Sequence, residues 1–136
     1  MTPVQKIALG VAGITSLGIG AFILVAPHAF YAGYGIVLGQ EPSLLSELRA
    51  PGAALAAFGA VMLAGIVRPA LRQAAVIAAL TVFLAFPAGR VLGLVVDGVP
   101  SGGILGALGL ELAIAGFCLL AFRRSADPAI TGFATR

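Results

Sequence analysis

The run AAVIAALTVFLAFPAGRVLGLVV, Ala74 to Val96, decides the fold. At about 23 residues it exceeds the about 20 that a helix needs to cross a hydrocarbon core of about 30 Å. Nothing in it alternates with period two, so a strand has no support. Lipid offers no partner to backbone N–H and C=O groups, so a segment this apolar satisfies itself only as a helix. Working outward, three further runs share its character: Val4–Ala26, Ala50–Val67 and Ile104–Phe122. The fold class expected is therefore all-α, an integral membrane four-helix bundle. Its helices run over about 4–26, 43–67, 74–96 and 103–122, in one domain over 1–124 followed by a polar cytoplasmic tail over 125–136.

Composition agrees. Of 136 residues, 60% are hydrophobic and 10% charged, with mean hydropathy +1.11, whereas a soluble domain is about a quarter charged. The net charge of +3 does not point to nucleic acid, because the basic residues are few and sit at the ends of the apolar runs. Threading four spans puts Lys6, Arg68, Arg72, Arg123, Arg124 and Arg136 on one side. Glu41, Glu47, Asp97 and, at its edge, Arg49 fall on the other. The positive-inside rule then predicts a multi-pass membrane protein with both termini in the cytoplasm. The first run is too long for a cleaved signal peptide and lacks an A-x-A site before Pro27.

The connections are unequal. Arg68–Gln73 and Asp97–Ser101 are tight turns, and Gly98 and Pro100 suit a reversal. The segment from Pro27 to Glu47 is longer, and Phe30, Tyr31 and Tyr34 within it read as an interfacial aromatic belt. The second helix has a natural start near Pro42. Stripes of small residues at i, i+4 predict close helix packing: Ala8, Ala12, Ser16 and Gly20; Gly52, Ala56, Ala60 and Ala64; Gly103, Ala107, Glu111 and Ala115. The last stripe turns Glu111 toward protein. Ser16, Thr15 and Thr81 are expected to return hydrogen bonds to their own backbones.

The residues able to carry chemistry are Arg49, Arg90, Asp97 and Glu111. Arg90 lies about 10 Å below Asp97 along a helix, and Glu111 about 13 Å beyond the same turn on the next one, at about 1.5 Å per residue. The two therefore reach similar depth, which predicts an Arg90–Glu111 pair. Spacing i, i+7 puts Asp97 on the face of Arg90, and Arg49 enters at the same end of the bundle, so one ligand-binding site could collect all four. A charge at the bilayer centre costs at least about 2.5–3.5 kcal/mol, so such residues are functional candidates by default. Three roles remain open: a lock between two helices, with Arg49 meeting loop carbonyls or Glu47; a pocket for a polar or anionic small molecule or lipid headgroup; and a proton carrier at Glu111.

Other chemistry finds little support. His28 is the only histidine and reads as an interfacial residue, so no metal site is expected, and no cofactor either. Cys118, the lone cysteine, excludes an intramolecular disulfide and reads as a buried, inert thiol. No Ser–His–Asp, Cys–His or HExxH arrangement occurs, and the glycines form no phosphate loop.

The segment Glu47-Leu48-Arg49-Ala50-Pro51-Gly52, then Gly89-Arg90 with Asp97-Gly98, then Leu110-Glu111-Leu112 resembles a family of uncharacterised bacterial four-span proteins. That family is associated with the DoxX-like superfamily of small membrane helical bundles. The resemblance covers nearly the whole chain and implies a four-helix membrane bundle without a settled activity. Relatives in the superfamily imply roles in quinone-related electron transfer, redox stress or assistance to membrane proteins. The thiol-redox version would need a cysteine pair that this chain lacks. The expected function is thus binding of a small ligand, lipid or membrane partner in an outward-facing polar pocket. The alternatives are an interface enzyme acting on a lipid or quinone-like substrate and a proton-coupled transporter working as a homo-oligomer. Partners expected are the lipid bilayer, a lipid, quinone or small ligand, and another membrane protein or a second copy, with no nucleic acid.

Overall fold

A computed structural model of the chain describes residues 1–123; the tail expected over 125–136 lies outside them. The described residues are helical apart from short connections: α1 (Pro3–Val25), α2 (Pro27–Ala32), α3 (Pro42–Val67), a 3-10 turn (Pro69–Leu71), α4 (Arg72–Val96) and α5 (Gly102–Phe122). The local sequence explains the ends. Thr2 and Gln5 form a capping box, the Thr2 hydroxyl accepting from the Gln5 N–H at 3.2 Å and the Gln5 amide oxygen accepting from the Thr2 N–H at 3.0 Å. Pro27 stops α1, because a residue preceding proline is steered away from the α region, and Ala26 sits at φ −138°, ψ 65°. The same proline then opens the short α2, where a missing N–H costs nothing.

The four long helices are each long and apolar enough to cross a membrane. They pack antiparallel in the cyclic order α1–α3–α4–α5, with α1 also touching α4 across the middle. Among the described residues α3 and α5 do not meet. The tightest seam joins α1 to α3. A Cβ on Gly20 would run into the backbone of Ala56 and Gly52, and one on Gly59 into the backbone of Leu17 and Gly13. Only glycine permits that approach, which replaces the missing hydrophobic drive in lipid with close van der Waals contact.

The seam corrects one expectation about α3. Its buried face is Gly52, Leu55, Gly59, Met62 and Gly65, while Ala60 is exposed. Steps of four residues drift by about 40° each on a helix of about 3.6 residues per turn, so the stripe Gly52–Ala56–Ala60–Ala64 winds away from α1. Alternating steps of three and four hold one seam. In α1 all of Ala8, Ala12, Ser16 and Gly20 are buried, because that helix is covered from three sides. Ser16 also departs from expectation: its hydroxyl donates to the Leu55 carbonyl of α3 at 2.7 Å and ties two helices together.

The outside of the bundle is apolar. Ile14 is 67%, Val67 76% and Leu120 66% exposed, a surface suited to lipid. Small side chains dominate the interior, where Ala8, Ala12, Ala75, Ala79 and Cys118 are fully buried. Lys6, Arg68, Arg72 and Arg123 lie at one end, which we call the basic end. The opposite end carries α2, the Asp97–Ser101 turn, Glu41, Glu47 and Arg49.

Candidate binding cleft

Arg90 of α4 and Glu111 of α5 meet inside the apolar belt. Arg90 donates through Nε to Oε2 at 2.9 Å and Oε1 at 3.1 Å, and through Nη2 to Oε1 at 3.0 Å. The pairing expected from matched depth is therefore present, in a bidentate form that adds direction to charge neutralisation. The Glu111 side chain is 11% exposed and that of Arg90 28%. Among the described residues Nη1 of Arg90 makes no hydrogen bond. Its outer edge remains available as a donor.

Arg90 and Glu111 both line a cleft of about 710 Å³ near the α2 end, within the about 300–1,000 Å³ typical of small-molecule sites. The α1 wall offers Thr15, Ser16, Ile19 and Ile23; α4 offers Val82, Phe83, Ala85, Phe86, Gly89 and Arg90; α5 offers Ile104, Gly106, Ala107, Leu110 and Glu111. Phe30, Tyr31, Tyr34 and Ile36 close the end, and Leu55 completes the floor. Within this lining Arg90 is the one cation and Glu111 the one anion. Pro87, inside α4, has no N–H to give the carbonyl of Phe83, a residue of the lining.

The closing segment is held by aromatic edges and one hydrogen bond. The Phe30 ring packs edge-on against Phe22, Tyr31 and Tyr34, with centroids 5.5, 5.1 and 5.2 Å apart. Ser101 donates to the Tyr34 carbonyl at 2.8 Å, fastening the segment to the turn before α5. Gly35, at φ 75°, allows the chain to reverse there. Burial raises the Tyr31 phenol above its ordinary pKa, with the Arg90 cation opposing and Tyr34 adding slightly. Tyr31 therefore faces the cleft as a neutral hydroxyl, able to donate or accept.

The other two candidate residues stand apart from this pair. Arg49 donates through Nε to the Leu24 carbonyl at 3.2 Å and is exposed. It lies on α3, the helix that does not meet α5, and is not paired with Glu111. It satisfies a carbonyl at the end of α1 instead. Asp97 is the C-cap of α4, exposed, with its N–H bonded to the Gly93 carbonyl at 2.8 Å. Sharing a face with Arg90 does not overcome about 10 Å of rise. Cys118 is fully buried, its sulfur 4.0 Å from the Ala8 carbonyl. His28 Nε2 lies 3.0 Å from the Gly39 carbonyl. Among the described residues no group of three or more His, Cys, Asp or Glu side chains is placed to hold a metal.

Sequence reasoning missed the aromatic wall. Phe30, Tyr31 and Tyr34 read as an interfacial belt, and only the packing of α2 on α1 and α3, with Tyr34 against the start of α5, brings them to the cleft. The signal available was Pro27, which cuts the first span and forces the chain to turn immediately.

Fold and cleft together define a class: a small helical bundle of four apolar, membrane-length helices enclosing one ion-paired, aromatic-capped cleft. Residues 4–122 match the domain of unknown function DUF4345, and the chain belongs to that family. No match was found among curated proteins or among solved structures.

Proposed function

We propose that this membrane protein binds a molecule with an apolar body and a small polar head, and that the head is held at Arg90. One observation carries this reading: a charge-balanced arginine, with its Nη1 edge unused, stands on the wall of a largely apolar cleft. A pair serving only to lock two helices could be sealed by packing, as Cys118 is against Ala8. Here the lock faces open space instead. Intramembrane ion pairs that border a cavity are recurrent ligand sites, and a neutral Tyr31 hydroxyl adds a second polar contact. The setting of this reading is a bacterial inner membrane with the basic end in the cytoplasm, so the cleft opens in the outer half of the bilayer. The resemblance to DoxX-like bundles agrees with such a setting and adds no ligand.

Native mass spectrometry of the detergent-solubilised protein, with monoolein or oleate added, tests the proposal. Wild type should retain at least one of the two probes, and the R90M/E111Q double variant should lose at least ten-fold of that occupancy. Retention of neither probe, or equal retention by the double variant, would overturn it.

A further inference from the structure

We propose that the ligand is an amphiphile with an uncharged, hydrogen-bonding head, whose apolar chain leaves the protein sideways between α4 and α5, past Gly89 and Gly106. The inference rests on the reading of the cleft as a binding site and specifies its ligand and its route.

The head follows from charge. Arg90 is already balanced by Glu111 through three hydrogen bonds, and no second cation lines the cleft. An anionic head drawn to Nη1 would stand beside the Glu111 carboxylate in a medium of low dielectric, where like charges repel strongly. It would gain Arg90 only by weakening the existing pair. An ester carbonyl or a hydroxyl accepts from Nη1 without disturbing that balance. A hydroxyl could also donate to the Phe83 carbonyl that Pro87 leaves without its helical partner.

The route follows from exposure. Apart from Ile36 in the closing segment, the exposed residues of the lining all belong to α4 and α5: Ala85, Phe86, Gly89, Gly106 and Leu110. The linings from α1 and α3 are buried or half-buried, so the exposed wall of the cleft is the one made by α4 and α5. A Cβ built on Gly89 or on Gly106 would meet nothing within 4 Å. These glycines thus differ from Gly20 and Gly59, whose absent side chains admit a neighbouring backbone. Here the absence leaves open space, a gap in the exposed α4 and α5 wall of the cleft, with Gly89 beside Arg90. A chain anchored at Arg90 reaches lipid through that gap without crossing water.

The chain's only tyrosines are Tyr31 and Tyr34, and it has no tryptophan. Both tyrosines line the cleft, so intrinsic tyrosine fluorescence reports on it directly. Titration in micelles with 9,10-dibromostearoylglycerol, a neutral quencher, and with 9,10-dibromostearate, its anionic counterpart, should show saturable quenching by the glycerol ester at a Kd at least ten-fold lower than that of the carboxylate. The G89L/G106L double variant fills the gap and should raise the Kd of the glycerol ester at least ten-fold. In wild type 1-butyrylglycerol, which has the head and almost no chain, should displace the long-chain glycerol ester. G18L adds leucine at an exposed glycine of α1 with open space around it and should change nothing. If the double variant does not fold by circular dichroism, G106L alone is read against the same criteria, with a threshold of three-fold. A carboxylate that binds as tightly as the ester overturns the uncharged head. An unchanged Kd for the long-chain ester in the leucine variants overturns the lateral route. Absence of saturable quenching by either probe in wild type instead sinks the binding-site reading beneath both.

Discussion

Separating the Arg90–Glu111 pair by one side chain at a time tests whether it is a coupled unit. In R90M the Glu111 carboxyl, 11% exposed, loses its counter-charge and all three of its hydrogen bonds. Breaking a buried pair from one side costs about 3–5 kcal/mol, and partial exposure of the partner places R90M at the lower end, about 3 kcal/mol. In E111Q the stranded group is Arg90, already 28% exposed. Its long side chain can extend toward the α2 end of α4, about 9 Å away along the helix at about 1.5 Å per residue. That variant should lose only about 1–2 kcal/mol. The double variant R90M/E111Q strands no charge and should lie within about 1 kcal/mol of wild type, because replacing both ions by neutral groups of similar size is often close to neutral. The coupling energy is then about 3–5 kcal/mol. Reversible unfolding of the four proteins in mixed micelles, followed by helical circular dichroism, measures it. Losses that simply add, with coupling below about 0.5 kcal/mol, would refute the reasoning and make the pair an incidental contact.

Three further outcomes follow from the geometry. G20L should destabilise by at least about 2–3 kcal/mol in the same assay, since its side chain must displace the backbone of α3. R49A should lose no more than about 1 kcal/mol, the worth of one exposed hydrogen bond to the Leu24 carbonyl, and should leave monoolein retention unchanged. The raised pKa of Tyr31 means that the folded chain holds this proton more tightly than the unfolded one. The stability it contributes is complete below about pH 10 and declines as pH rises through the folded pKa. Y31F should therefore show a shallower loss of stability above pH 10 than wild type, measured by unfolding at stepped pH, and a parallel loss in both proteins would count against the burial of Tyr31.

How much of this was legible in the sequence depends on which forces act locally. Four apolar runs of membrane length leave no alternative to helices, because the backbone must satisfy itself in lipid. The Arg90–Glu111 pairing was also accessible, since a tight turn and a fixed rise per residue set both depths. Arg49 and Asp97 show where such reasoning stops. Helical projection places Asp97 on the face of Arg90 but ignores the distance along it, and no local rule says that α3 and α5 occupy opposite corners of the bundle. The α3 stripe fails for a related reason. Alanines four apart look like a packing face until the drift per step is counted and glycine, with its closer approach, takes the seam. The aromatic wall was hidden because a belt at an interface and a cap on a cleft have the same composition. Only the path of the chain from Pro27 through Gly35 distinguishes them.

Photochemical labelling tests the central claim most directly. A monoacylglycerol carrying a diazirine near its ester, incorporated in vesicles with the protein and activated by light, should attach to Tyr31 and to residues within 82–90 and 104–111, and the R90M/E111Q variant should lose those adducts. Adducts spread over the lipid-facing surface, at positions such as Ile14, Val67 and Leu120, in equal measure for wild type and variant, would contradict the account.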